Sequence, residues 1–122
     1  MKLFVECLRR TKLDFKGRVA WSFLTRQMYR KCNAEPTDSQ NYIAQIKIIK
    51  GVKIALLFRE TIGNPLLIKV SIRTNAAIDA DRLVRPLGGG GHSLAAGVTL
   101  QPPIKRAYQK ITQHIKNCQF FS

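Results

Sequence analysis

Two runs of strict alternation joined by one turn constrain this chain most. Val52, Ile54, Leu56 and Phe58 alternate with Lys53, Ala55, Leu57 and Arg59. Leu66, Ile68, Val70 and Ile72 then alternate with Leu67, Lys69, Ser71 and Arg73. Successive residues of a strand point to opposite faces, so a period of two reads as a strand. Gly63-Asn64-Pro65 between the runs is turn chemistry. The two segments are therefore predicted to pair as an antiparallel hairpin.

The flanking sequence supplies further elements. Residues 2–11 read as an amphipathic helix with Phe4, Cys7, Leu8 and Thr11 on one stripe. Lys16-Gly17 makes a turn, and Val19, Trp21 and Phe23 give another strand. Thr25 is placed to cap a helix running through Cys32. Thr37 and Gln40 have capping-box spacing ahead of a helix that carries Tyr42, Ile43, Ile46 and Ile49 and ends at Gly51. Asp79 or Asp81 caps a short helix through Arg85. A second short helix is predicted over 92–96, and a strand over 98–101. Pro102-Pro103 opens a last helix with Ile104, Tyr108, Ile111 and Ile115 on one face. At 122 residues this is one domain of α/β class: a mixed β-sheet of about four to five strands, flanking helices and a glycine-rich loop.

That loop is Gly88-Gly89-Gly90-Gly91-His92-Ser93-Leu94-Ala95-Ala96-Gly97. Consecutive glycines are retained in a folded domain where the backbone takes φ > 0 or another group comes close. Followed by a helical turn over 92–96, the glycine N–H groups would form a site for a phosphate or carboxylate, with His92 at its mouth. A plain flexible linker is the competing reading. Against it, the run sits inside the chain between apolar flanks, Leu87 on one side and Val98 and Leu100 on the other. Neither a dinucleotide fingerprint nor a P-loop fits, because no strand precedes it in the required way and no Lys-Ser or Lys-Thr follows.

Charge points the same way. Twenty-one Lys and Arg face seven Asp and Glu, a net charge of +14 that attracts polyanions. Nucleic acid comes first among partners, a nucleotide second and an anionic membrane surface last. No stretch approaches the ~20 apolar residues that span a bilayer. Charges interrupt every apolar run before Lys12, which excludes a signal peptide there. Three widely spaced cysteines, Cys7, Cys32 and Cys118, suit neither a zinc site nor a disulfide framework, and reduced thiols in a cytoplasm are expected.

The catalytic inventory is thin. No Asp/His cluster has metal-ligand spacing, no nucleophile elbow is present, and the expected catalytic residues in this chain are none. Candidate ligand contacts are Gly88, Gly89, Gly90, Gly91, His92 and Ser93, with Arg73 offering a planar fork to two oxygens at once. Thr74 can add a hydroxyl or serve as a turn residue. Glu60, ending its strand, can accept from a ribose hydroxyl, orient Arg73 or simply pair with a cation.

Arg73-Thr74-Asn75, the short helix, Gly88-Gly89-Gly90-Gly91-His92 and Ala95-Ala96-Gly97 together resemble the C-terminal substrate-binding domain of DHH-family phosphoesterases. The branch is that of nanoRNases, phosphoadenosine-phosphate phosphatases and exopolyphosphatase-related proteins. The similarity runs from about Gly17 to Leu100. It implies a two-domain hydrolase in which an Asp-His-His domain holds Mn²⁺ and cuts the phosphoester, while this domain holds short RNA, single-stranded nucleic acid or a nucleotide. On that basis residues 1–16 are expected to be a linker helix from the catalytic domain and 17–122 the binding domain, with the abrupt helical start suggesting a fragment. The family's nucleotide loop falls on Gly88 to Gly91 and His92, and its strand arginine on Arg73. Leu87 stands where the family usually has Phe, and Pro86 removes a backbone donor within the short helix. A non-enzymatic RNA-binding module, like the C-terminal domain of alanyl-tRNA synthetase, and a dimerisation domain forming a homodimer remain as alternatives.

Overall fold

The computed structural model describes residues 2–121; Met1 and Ser122, the outer ends of the two predicted segments, lie outside them. In chain order the elements are α1 (Lys2–Arg9), β1 (Lys12–Asp14), β2 (Val19–Leu24), α2 (Arg26–Lys31), a 3₁₀ turn (Pro36–Ser39) and α3 (Tyr42–Lys47). The second half has β3 (Ile54–Glu60), β4 (Ile68–Thr74), α4 (Ala80–Val84), a 3₁₀ turn (Arg85–Leu87), β5 (Gly90–Gly91), β6 (Ala95–Leu100) and α5 (Ile104–Cys118). The strands form one six-stranded sheet in the order β1-β2-β3-β4-β6-β5. Only β2 and β3 run parallel. The α/β class with an open mixed sheet is as predicted, with one strand more than the upper count.

The expected hairpin is β3–β4, antiparallel, with Leu57 opposite Ser71 and Ala55 opposite Arg73. Thr25 caps α2, its hydroxyl accepting from the Met28 N–H at 3.1 Å. Asp79 rather than Asp81 caps α4, accepting from the Arg82 N–H at 3.1 Å.

Three predictions change. The helix from Thr37 to Gly51 is split, because Asn41 sits outside helical geometry between the 3₁₀ turn and α3. The reciprocal bond at its start uses Glu35 and Asp38, the Glu35 N–H donating to Asp38 Oδ2 at 2.8 Å. Residues 2–16 do not form one separate helix. α1 stops at Arg9, and β1 adds a strand against β2. α1 buries Leu3 and Cys7 in the domain core; of the predicted stripe Cys7 is buried, while Phe4 is half-buried and Leu8 exposed. Most consequential for the site, 92–96 is not helical. Ala95 and Ala96 pair with Arg73 and Ile72 of β4, and that tertiary pairing overrides the local preference of alanine for helix.

Two apolar clusters sandwich the sheet. On one face, Trp21, Leu56, Phe58, Val70 and Ile72 pack against α4 and α5. On the other, Ala20, Leu24, Ala55 and Leu57 pack against α1, α2 and α3. β2 and most of β3 are buried on both faces, as the near-continuous apolar run of a covered strand requires. β4 alternates instead between buried and more exposed residues. Helices α1–α3 pack on β2 and β3, with α3 also reaching β4. Beyond that cover Lys69, Arg73 and Thr99 stay exposed on the same face, and this asymmetry positions the site.

β1 is tied to α5 through Asp14, which accepts from Trp21 Nε1 at 2.9 Å and from the Tyr108 hydroxyl at 2.6 Å. Burial first, and then the Asp14 carboxylate, push the Tyr108 phenol up to about 12. The fold favours the neutral phenol. Its contribution to stability is therefore complete below the ordinary tyrosine value of about 10 and is lost as pH rises through about 12. Tyr108→Phe is expected to cost about 1 kcal/mol at neutral pH. A spectrophotometric titration should show a phenol ionising near 12 in the parent and not in the variant.

Candidate functional site

The open half-face is a groove. Its floor follows from register alone. Ser71 pairs with Leu57 on one side and Gly97 on the other, and Arg73 pairs with Ala55 and Ala95. Residues directly opposite in an antiparallel pair share a face, so Lys69, Ser71 and Arg73 point the same way as Arg59 and Thr99. Gly97 then leaves the floor bare beside Ser71. α3 and the preceding 3₁₀ turn form one wall through Ile43, Ser39 and Gln40, and β5 forms the other through Gly90 and Gly91. The hollow measures about 440 Å³. It continues past Gly88 and Gly89 towards Lys69 and Thr99 as a second hollow of about 400 Å³. These volumes lie in the range that holds a small ligand.

The glycine run works differently from a helix-start phosphate loop. Gly88 caps the 3₁₀ turn at φ +92° and donates its N–H to the Arg85 carbonyl. The Gly89 N–H donates to the Val84 carbonyl at 3.0 Å. His92 and Ala95 exchange both backbone bonds, so antiparallel alternation makes Gly90 and Gly97 the next bonded pair. The Gly91 N–H donates to Asp81 Oδ1 at 2.9 Å. The protein's own acceptors thus occupy these amides, and no helix dipole backs them. The glycines matter for closeness: a Cβ on Gly89 would lie 2.3 Å from the Gly97 oxygen, and one on Gly91 would lie 2.6 Å from Ala96 Cα. They let β5 lie flat on β6 and keep that wall free of side chains.

Asp81 fastens the wall. It also accepts from Arg85 Nε at 2.7 Å. The Arg85 bond and then the Gly91 N–H hold its carboxyl below the usual range, with the His92 ring adding a smaller pull in the same direction. A depressed carboxylate stabilises the fold above the unfolded value near pH 4, and that contribution is lost as pH falls through the lower folded value. Asp81→Asn is expected to speed hydrogen exchange at the Gly91 amide at neutral pH. Acidification of the parent should do the same, once intrinsic exchange rates are allowed for.

The predicted residues separate into two groups. Arg73 is exposed at one end of the groove, its side chain without a hydrogen bond or ion pair among the described residues. His92 lies on the β5–β6 turn at the same end, where the Thr74 N–H reaches the Leu94 carbonyl. The exposed Ser93 shares that turn, its carbonyl accepting from the Ala80 N–H at 2.7 Å. Thr74 and Glu60 do not join them. Thr74 is buried on the opposite face, its hydroxyl turned to the Ile78 and Ser93 carbonyls at 2.6 and 3.1 Å. Glu60 stands opposite Ile68 at the other end of the hairpin and accepts from the Arg26 N–H at 2.8 Å. It therefore anchors α2 and does not orient Arg73. Sequence reasoning passed over Arg59, which the hairpin register puts opposite Lys69 with its Nη2 donating to Ser71 Oγ at 3.0 Å. The signal was the period of β3, in which Arg59 follows Leu57 on the face that leaves helix cover.

Among the described residues no three of His, Cys, Asp and Glu stand close enough to bind an ion. No helix among them is long and apolar enough to cross a membrane.

Residues 17–118 match the model of the DHHA1 domain family. The chain is 30% identical over 80 residues to the bifunctional oligoribonuclease and PAP phosphatase NrnA of Thermus thermophilus, an alignment covering 65% of this chain and 24% of that protein. An exopolyphosphatase-related protein from Bacteroides fragilis has the same fold, with a TM-score of 0.84 at 23% identity over 94% of this chain and 33% of its own. The pGpG-specific phosphodiesterase PggH of Vibrio cholerae superposes with a TM-score of 0.59 at 14% identity, over 93% of this chain and 38% of its own. The chain thus spans about a quarter to somewhat over a third of these relatives.

Proposed function

The chain belongs to the DHHA1 domain family, and on that premise we propose that it is the substrate-holding domain of a DHH-family phosphoesterase. It grips a nucleotide or a short single-stranded nucleic acid in the β4–β6 groove. One observation carries the reading: three cations, Arg59, Lys69 and Arg73, line an open strand face beside the bare backbone of Gly97 and β5. A guanidinium fork matches two oxygens of a phosphate, and a bare floor admits a flat base or sugar. The groove is small for a duplex, whereas one or two nucleotides match its size.

In this proposal Arg73 takes a phosphate, His92 donates from the neighbouring turn, and the glycine wall keeps the ligand against the sheet. The chemistry belongs to a separate catalytic domain, in which a Mn²⁺ centre would activate water. The segment at α1 and β1 is the connection to that domain. Binding, orienting and excluding alternative poses are this chain's share.

Equilibrium binding tests the proposal. Labelled single-stranded oligoribonucleotides of two to a few residues should bind and compete with unlabelled dinucleotide. Duplex RNA should bind only through charge and be released steeply by salt. Tight binding to folded tRNA with none to dinucleotides would favour a tRNA-gripping module instead. No binding to either, with a concentration-dependent dimer, would favour an interaction domain.

A further inference from the structure

The other face of the sheet carries a surface that the groove does not use. α5 has four cations, Lys105, Arg106, Lys110 and Lys116, and no acid. At its first turn Trp21, Phe23, Ile104 and Tyr108 line an open hollow of about 480 Å³, with Lys105 and Glu60 also on its wall. At its last turn Phe15, Ile115, Phe120 and Phe121 line a second hollow of about 270 Å³, with Lys116 beside them. Phe120 is 39% exposed, and the Arg18 guanidinium lies 4.9 Å from the centre of the Phe121 ring. Lys105 and Lys116 stand roughly three helical turns apart, so they mark one flank of α5 at a separation of about 17 Å. The exposed Lys12 of β1 adds a cation on the same sheet face, directly opposite Trp21.

The lining of the first hollow decides which polyanion fits. Its polar groups are spent inside the fold. Trp21 Nε1 and the Tyr108 hydroxyl both donate to Asp14, and the Thr25 hydroxyl accepts from the Met28 N–H. A nucleobase seated there would bury polar edge groups without partners, and the Glu60 carboxylate would repel its phosphate. An aliphatic or aromatic side chain meets neither penalty and gains from leaving water. The cations around it call for acidic neighbours.

We propose that this flank of α5 docks an extended acidic segment of a partner protein through two apolar anchors, one in each hollow. About five residues of extended chain, at ~3.3 Å each, span the distance. Acidic residues between the anchors then lie against Lys12, Lys105 and Lys116. The surface is on the opposite sheet face from the β4–β6 groove, so the proposal does not rest on the nucleotide reading.

Trp21 is the single tryptophan of the chain and lines the first hollow, so its emission reports occupancy without a label. The probe is the peptide Asp-Phe-Asp-Asp-Asp-Asp-Phe-Asp, titrated into the whole chain at about 0.3 M salt, where exposed charges are strongly screened. A saturable change in emission is expected at micromolar peptide. Replacing both phenylalanines of the peptide by serine, at unchanged charge, should weaken binding at least tenfold. Lys105→Glu combined with Lys116→Glu should do the same, with the melting temperature near that of the parent because both lysines are exposed. A dinucleotide should not compete. No saturable change up to millimolar peptide overturns the inference, as does equal affinity for the serine peptide or for the double variant. A stronger response to an oligouridylate of equal charge overturns it too and makes the flank a nucleic-acid contact. A concentration-dependent dimer that Ile104→Ser dissolves, with no peptide bound, overturns it in favour of a second copy of this chain.

Discussion

Arg73→Ala is expected to weaken dinucleotide binding about ten- to a hundredfold while leaving the melting temperature of the free chain nearly unchanged. The first half follows from the strength of a charge-assisted hydrogen bond, about 1.5–3 kcal/mol, converted at ~1.4 kcal/mol per decade. The second half follows from the structure: Arg73 is exposed and partners no other described residue, so its loss breaks nothing in the fold. Lys105, exposed on α5, gives the contrast. Lys105→Ala should reduce binding only modestly, and the difference should fade as salt rises, because it supplies a screened, non-specific attraction. The Arg73 defect should persist. Parallel salt titrations of the two variants check the distinction.

Gly89→Ala is expected to detach β5 from the sheet edge, lower the melting temperature and reduce binding at least tenfold. A single added Cβ would sit 2.3 Å from the Gly97 oxygen and 2.7 Å from Val98 Cβ. Both belong to β6, which is pinned along β4. Overpacking of this kind costs about 1–3 kcal/mol. Besides its pairing with β6, the two-residue β5 is held by Asp81 through the Gly91 N–H, so it yields before β6 does. The neighbouring glycines differ. Gly88→Ala meets open space but keeps φ +92°, a backbone strain of about 1 kcal/mol or more. Gly90→Ala meets only Asp81 Oδ1 at 3.4 Å, without a positive φ, and should fold like the parent. Thermal melts and hydrogen exchange at the Gly91 amide should rank the damage Gly89, then Gly88, then Gly90. Equal damage at Gly89 and Gly90 would contradict the steric account.

The ranking also shows what the sequence made legible. Alternation placed the β3–β4 hairpin, and Thr25, Asp79 and Pro102-Pro103 marked helix starts, because each signal is local. β1 and β5 escaped notice: one is three residues long, and the other is two glycines with no side-chain period. The helix predicted over 92–96 failed because pairing of Ala95 and Ala96 with β4 is a long-range event that alanine composition does not record. Glu60 was correctly placed at a strand end, and Thr74, read as following its strand, is the last residue of β4; the side chains of both turn to other partners. Arg59 looked like any polar residue of an alternating strand. Its isolation depends on where α3 stops short of covering the sheet, and that is fixed only by the assembled layers.

The most direct test of the groove is an NMR titration of ¹⁵N-labelled chain with a dinucleotide at moderate salt. Perturbed amides are expected to cluster at Arg59, Ser71, Arg73, Gly90, Gly97 and Thr99, with α5 and the β1 edge unchanged. Shifts spread over the basic surface, or centred on the lysines and arginine of α5 with the groove silent, would contradict the account and leave net charge as the source of binding.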